Sequence, residues 1–385
     1  MNFIITIFLL SLSICMILGD NNQNRIKNDS DLESIERRVK KSVVKNVPFK
    51  WLFPIDYFIE DGVNADTITK GLKTLERETC IRFRKTDNFY RGGIVYRPGV
   101  GCISFIGKVS NNVPQEIQLS NECDIVTAVI HETSHALGVI HEMTRHDRNN
   151  YIDILYQNIN PGVRFNFNIE NLDGTLPYGT KYDYGSVMHY NRLAGSNNGR
   201  VVMSPKLNGY LKTIGQTTEY GFNDAKRLNM HYCNHKCVKK LVCANGGYTN
   251  PNNCKVCKCP RMFRGVLCAL IKPSDKSCGI TKYTATNNYK FIKTKGKKSC
   301  YYQITAPRSY RIRLTINNLN VADSFVCQPG SGLEIKYLAD KTVSGAMLCG
   351  KHNARNFISK NNIIVMRYVG KSLYDSLSIK FKSFK

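Results

Sequence analysis

At His131-Glu132-Thr133-Ser134-His135 the chain carries two imidazoles four residues apart, with a carboxylate beside the first. On a helix such positions share one face, one turn apart, so both rings can address a single point. Gly138 permits the left-handed residue that ends a helix, after which the chain turns back and His141 can approach the same point. Three nitrogen ligands with a fourth position open describe a catalytic zinc site, one ion per chain, rather than a closed structural one. Zinc lowers the pKa of bound water from about 15.7 towards ~7. Glu132 sits near the ion without ligating it and is placed to take the proton as the water attacks a carbonyl carbon. A buried helix with a few satisfied histidines is the plainer reading of His-Glu-x-x-His alone, and Gly138 and His141 at the longer spacing argue against it.

The elements that must hold these groups precede them. Ile55 to Ile59 reads as a strand, and Ile68, Leu72, Leu75 and Thr79 recur at helical spacing behind a cap at Asn64 or Asp66. Strand-like stretches follow at residues 81–84, 93–96, 102–106 and 116–119. Ile125, Val126, Val129, Ile130 and Leu137 then supply apolar faces for the helix bearing the motif. Mixed strands and helices place the domain in the α+β class.

A chain of 385 residues implies two or three domains. Met1 to Gly19, apolar from Phe3 to Leu18, reads as a secretory signal peptide. Residues 20–41 are polar and end in Arg37-Arg38-Val39-Lys40-Lys41, which reads as a prosegment with a basic processing site and a mature start near Ser42, the alternative being a basic linker that is never cut. No later run of about 18 apolar residues predicts a membrane span, so a secreted extracellular protein is expected. One of the 15 cysteines, Cys15, lies in the signal, and the even remainder implies disulfides. The sequon Asn28-Asp29-Ser30 falls in the prosegment, so no N-glycan is expected on the mature chain. The formal charge of +26 favours polyanions, including sulfated matrix sugars and acidic substrates, although a diffusely charged, solvated surface is the plainer reading. The cations are spread along the chain without interleaved aromatics, which speaks against specific nucleic-acid binding.

Beyond His141 come Glu142-Met143-Thr144-Arg145-His146-Asp147-Arg148 and then Tyr182-Asp183-Tyr184-Gly185-Ser186-Val187-Met188-His189-Tyr190. With the zinc motif, these make residues 42–235 resemble the astacin family of zinc endopeptidases. The resemblance implies a metzincin-type, two-lobed protease domain with a substrate cleft. It assigns the metal to His131, His135 and His141 and the general base to Glu132. Met188 becomes the apolar floor under the metal, and Tyr190 a phenol that binds zinc at rest and swings away to stabilise the oxyanion. Glu142 becomes the acid that anchors the mature amino terminus. It also implies bridges Cys80–Cys233 and Cys102–Cys123. The first closes a loop of about 150 residues, towards the upper end of the usual ~2–5 kcal/mol. Val139, Met143 and Asn149 depart from the family's common aromatic, Gln and acid, which bears on packing and loop geometry. The prosegment acid expected in a Phe-x-Gly-Asp setting has only Gly19-Asp20 as a match. His146, His189, His231, His235 and His352 receive no chemical role, and His189 reads as packed or exposed.

Six cysteines between Cys237 and Cys268 make residues 236–270 similar to an EGF-like module, too small for a core without bridges. Lys272-Pro273-Ser274-Asp275 reads as a linker. Residues 278–385 resemble an all-β CUB sandwich, which implies bridges Cys278–Cys300 and Cys327–Cys349. Gly332 stands where many such domains place a calcium-binding Asp. The sequence therefore reads as a secreted zinc endopeptidase that hydrolyses extracellular or matrix proteins, with the added modules making matrix or partner contacts. The rival is a catalytically inactive matrix-binding protein, against which an intact Glu132 speaks.

Overall fold

The computed structural model describes residues 49–89, 92–170 and 178–385; the expected signal peptide, prosegment, cleavage point and sequon lie outside these. Two compact units emerge. The first runs to Tyr178 and takes in Leu193–Met203 and Arg227–Cys233, and the second comprises Gly179–Arg192, Ser204–Lys226 and Asn234–Lys385.

In the first unit β1 (Ile55–Ile59), β2 (Phe83–Lys85), β3 (Ile94–Pro98), β4 (Cys102–Ser104) and β5 (Gln115–Leu119) form one sheet in the order β2-β1-β3-β5-β4. All pairings are parallel except that of β4, which runs antiparallel along the edge. Helix α1 (Ala65–Glu78) begins at Asn64, whose side chain accepts from the Asp66 and Thr67 amides and settles the choice of cap. Its buried stripe, Ile68, Leu72 and Leu75, packs beside α2 (Val126–Ala136), which bears the motif. Disulfide Cys80–Cys233 ties the residue following the cap of α1 to the end of α3 (Phe222–Tyr232). Cys102–Cys123 ties β4 to the short turn before α2.

Gly71 sets the spacing of the two helices. A Cβ there would lie 2.7 Å from Val129 Cγ1 and 3.0 Å from Val129 Cβ. Overpacking of this kind costs about 1–3 kcal/mol against about 1 kcal/mol of helix propensity gained over glycine. Gly71→Ala is therefore expected to destabilise the protein by up to roughly 2 kcal/mol, and a lowered thermal midpoint checks it; a raised midpoint contradicts the packing argument.

Strands β6 (Ile152–Ile154) and β7 (Met203–Pro205) follow in sequence. In the second unit the cysteine-rich segment holds β8 (Tyr248–Asn250), β9 (Asn253–Lys258), β10 (Phe263–Arg264) and β11 (Leu270–Ile271). Its bridges are Cys237–Cys254, Cys243–Cys257 and Cys259–Cys268. Cys257, Met262, Phe263 and Cys268 pack with Tyr301 and Val365 in a shared core, so this small module borrows apolar surface from the sandwich that follows.

That sandwich has two sheets. β12 (Lys282–Thr284), β14 (Lys298–Thr305), β16 (Gly332–Lys336), β17 (Ala346–Leu348) and β20 (Ile363–Gly370) form one, in the order β12-β14-β20-β16-β17. β13 (Lys290–Lys295), β15 (Arg311–Asn320), β18 (Lys351–His352), β19 (Arg355–Ile358) and β21 (Ser376–Phe384) form the other. Cys278–Cys300 and Cys327–Cys349 bridge it.

Arg261 lies in the same unit and reaches Glu334 of β16 at 3.3 Å and Glu219 at 2.7 Å. Burial opposes the charge on Glu334, but Arg261 and Lys336 outweigh it and hold the carboxyl below its ordinary 4.5. As pH falls, the unfolded chain therefore takes up this proton first. The stabilisation is full above about 4.5 and is lost as pH drops through the depressed folded value. Thermal melts below pH 5 should fall more steeply for the parent than for Glu334→Gln; parallel curves would contradict this.

Candidate active site

The zinc geometry starts from how α2 ends. Gly138 has φ +94°, its N–H donates to the His135 carbonyl at 2.7 Å, and the Val139 N–H donates to the Ser134 carbonyl at 2.9 Å. This is the paired capping pattern that a left-handed glycine allows. Carbonyls of this last turn also find donors from outside the helix. Trp51 Nε1 reaches Ala136 O at 2.8 Å, Gly107 N reaches His135 O at 2.8 Å, and the Tyr232 hydroxyl reaches Leu137 O at 2.9 Å. A buried helix end with every carbonyl engaged has one resting position.

The same turn orients a ligand. It presents the Val139 carbonyl 2.7 Å from His135 Nδ1, so that nitrogen carries the proton and Nε2 keeps its lone pair. Burial and the neighbouring His131 push the His135 imidazole down to about 3, against the opposing pull of that carbonyl, so the ring stays neutral as a metal ligand must. Nε2 of His135 lies 3.0 Å from Nε2 of His131 and 3.2 Å from Nε2 of His141, which are 3.2 Å from each other. A tetrahedral ion held at about 2.0–2.1 Å spaces its nitrogens by roughly 3.3 Å. A third ring nitrogen aimed at the same point leaves lone pairs facing one another, an arrangement a cation resolves. Among the described residues these three histidines are the one group of metal-ligating side chains converging on a point, and they fit a single zinc.

Glu132, 5 % exposed, is held by the same helix. Among the described residues no hydrogen bond or ion pair engages its carboxylate. Burial pushes the carboxyl up to about 8, and the charge of a bound cation pulls the other way. Tyr96 braces the helix at the adjacent residue, its hydroxyl 2.8 Å from Thr133 Oγ1.

The residues after His141 are fixed by buried guanidiniums. Arg145 pairs with Asp147 at 2.8 Å and Glu142 at 3.4 Å, and Arg227 reaches Glu142 at 2.6 Å. Burial alone would raise the Asp147 carboxyl, but the Arg145 hydrogen bond and charge bring it below its ordinary value. Arg148 donates to the carbonyls of Met143 and Phe167 at 2.9 and 2.7 Å and to Asn149 Oδ1 at 2.7 Å.

Comparison with known proteins decides the family. The profile for the astacin peptidase family matches residues 43–233, and that for the CUB domain matches residues 278–382. Residues 43–233 belong to the astacin family. The zinc metalloproteinase nas-34 of Caenorhabditis elegans is 35% identical over 86% of this chain and 56% of its own length. The zinc metalloproteinase dpy-31 of Brugia malayi is 33% identical over 72% of this chain and 49% of its own. The chain thus spans about half the length of these relatives. Among solved structures, the hatching enzyme HCE-1 of medaka, a zinc-protease, is 34% identical over 47% of this chain and 90% of its own, with a TM-score of 0.43.

The departures of this astacin from its family's pattern have local explanations. Val139 contributes only its carbonyl to His135, and Met143 only its carbonyl to Arg148, so neither needs a particular side chain for that task. The Asn149 amide oxygen serves as a hydrogen-bond acceptor for Arg148.

Met188 and Tyr190 belong to the second unit, in a tightly braced turn. Asp224 accepts from Ser186 Oγ at 2.6 Å and from the Val187 N–H at 3.0 Å, and Ser186 Oγ accepts from the Met188 N–H at 3.0 Å. Asp183 Oδ1 accepts from the Gly185 N–H at 3.1 Å and from the Ser344 N–H of the CUB domain at 3.0 Å. Met188 is fully buried and Tyr190 half-buried. His189 is packed, its Nε2 2.7 Å from the Tyr182 hydroxyl.

The sequence reading missed Trp51, Tyr96, Tyr232, Arg227 and Asp224. Only Trp51 carries a signal of its own, as the single tryptophan of the chain.

Proposed function

We propose that this astacin is a secreted zinc endopeptidase acting on extracellular or matrix proteins. The convergence of three imidazoles beside a buried, unengaged carboxylate carries the proposal. When bound, zinc supplies a Lewis acid that polarises the scissile carbonyl and acidifies water. Glu132 takes the proton of the attacking water and passes it to the leaving amine. Tyr190 donates a hydrogen bond to the developing oxyanion, a role suited to a phenol and drawn from the family pattern. β4, which among the described residues pairs with β5 alone at the edge of its sheet, offers main-chain groups to which an extended peptide can add as a further strand. The match of both relatives, each named a zinc metalloproteinase, supports this reading over an inactive binding protein.

The domain scheme is a signal peptide over 1–19, a prosegment over 20–41, a catalytic domain over 42–235, an EGF-like module over 236–270 and a CUB domain over 278–385. Two interlaced bridges, Cys237–Cys254 and Cys243–Cys257, followed by a separate Cys259–Cys268, support the EGF-like assignment. Glu142 anchors the amino terminus released by processing, taking its place among the charges of Arg145 and Arg227. Among the described residues no helix is long and apolar enough to cross a membrane. The basic surface and the CUB domain provide contact with matrix polyanions.

The test is cleavage of denatured casein by the purified secreted chain, run beside non-peptide ester substrates, with amino-terminal sequencing of the enzyme. Casein cleavage abolished by a chelator, with a new terminus near Ser42, is expected. Ester hydrolysis without casein cleavage would point to another metallohydrolase and contradict the proposal.

A further inference from the structure

The second sandwich sheet presents a face on which like charge is concentrated. On β13, β15 and β21 the inward positions are Ile292, Ile312, Leu314, Ile316, Leu377, Ile379 and Phe381, all buried. The alternate positions point outward and include Lys293, Lys295, Arg311, Arg313, Lys380 and Lys382. Register sets them in order along the strands. Lys295 stands opposite Ser376, Lys293 opposite Ser378, Phe291 opposite Lys380, Arg313 opposite Lys382, and Arg311 opposite Phe384. Five such rows at about 6.8 Å make a band roughly 27 Å long.

Neither aspartate nor glutamate occurs on β13, β15, β19 or β21. Among the described residues none of the six cations forms an ion pair. Arg313 directly opposite Lys382 is a like-charge pair, which costs a sheet stability. The side chains are nevertheless held in place. Arg311 and Arg313 lie 5.2 and 5.1 Å from the centre of the Phe384 ring, and Lys380 and Lys382 lie 5.0 and 4.9 Å from that of Tyr289. Residues 278–385 carry 19 Lys and Arg against 4 Asp and Glu, so this domain accounts for more than half of the +26 of the chain.

Unpaired cations repeated along a line, restrained by aromatic rings and lacking any counter-charge, match a linear polyanion and not a compact anion. We propose that this face binds a linear sulfated glycan. The inference rests on the matrix contact proposed above and gives it a location. Phe291, 56 % exposed between Lys293 and Lys380, offers apolar surface to the face of a sugar ring. Tyr289 and Phe384 already carry cations, so they make poor platforms for stacked bases and the glycan is favoured over a nucleic acid.

The test uses the full secreted chain and a heparin oligosaccharide, with Kd measured at several salt concentrations. Arg313→Ser, Lys380→Ser and Lys382→Ser together remove three charges from the band. Lys282→Ser, Lys360→Ser and Lys371→Ser together remove three exposed charges elsewhere in the domain. Thermal midpoints no lower than the parent's and unchanged casein cleavage confirm that each variant is folded, independently of glycan binding. At near-physiological salt the first variant should bind at least about tenfold more weakly and the second within about twofold. The salt slope should fall by roughly two to three in the first only. Equal weakening in both would overturn the location while leaving matrix contact standing. A parent that does not bind heparin would overturn both. Tighter binding by the parent to DNA of matched charge, lost in the first variant, would overturn the glycan.

Discussion

Glu132→Gln is expected to lower kcat/KM for a peptide substrate by about 10²–10⁴-fold while zinc content stays at about one ion per chain. The substitution preserves shape and removes the group proposed to accept the proton. Because no other side chain among the described residues holds the Glu132 carboxylate, the amide should not disrupt a structural network. The acid limb of the pH–rate profile should change with it, since burial raises this carboxyl and the cation lowers it. Near-parental turnover in Glu132→Gln would remove the general base from the mechanism.

Gly138→Ala should have the next largest effect, and it should fall on the metal. A side chain at φ +94° costs about 1–3 kcal/mol of strain. Relief of that strain moves the Val139 carbonyl off His135 Nδ1 and the chain that carries His141. Loss of such a supporting contact typically weakens metal binding by about 10–100-fold, so zinc affinity should drop by at least that much. Zinc titration against a competing chelator measures it. Parental affinity in Gly138→Ala would show that the turn does not position the ligands.

The zinc helix was legible because its information is local. Two histidines at i and i+4, a glycine that must be left-handed and a third histidine three residues later define a geometry within eleven residues. The strand Ile55–Ile59 and the helix capped by Asn64 were legible for the same reason, with period and cap adjacent in sequence. What escaped depends on distant pairs. Trp51 closes the helix end from 85 residues away, and Arg227 meets Glu142 across a similar gap. Ser344 of the CUB domain supports Asp183 from 161 residues away. No spacing rule predicts such partners, because tertiary packing chooses them. The cationic band was not legible. Arg311 and Arg313, like Lys380 and Lys382, stand two apart in the sequence, but cations that read as spread along the chain meet on one face only once strand order and register are known.

The most direct measurement is the return of casein cleavage as zinc is titrated into chelator-treated protein. Cleavage should rise in proportion to added metal and saturate at about one zinc per chain. Full cleavage by the metal-free chain, or none after zinc has bound, would contradict the account.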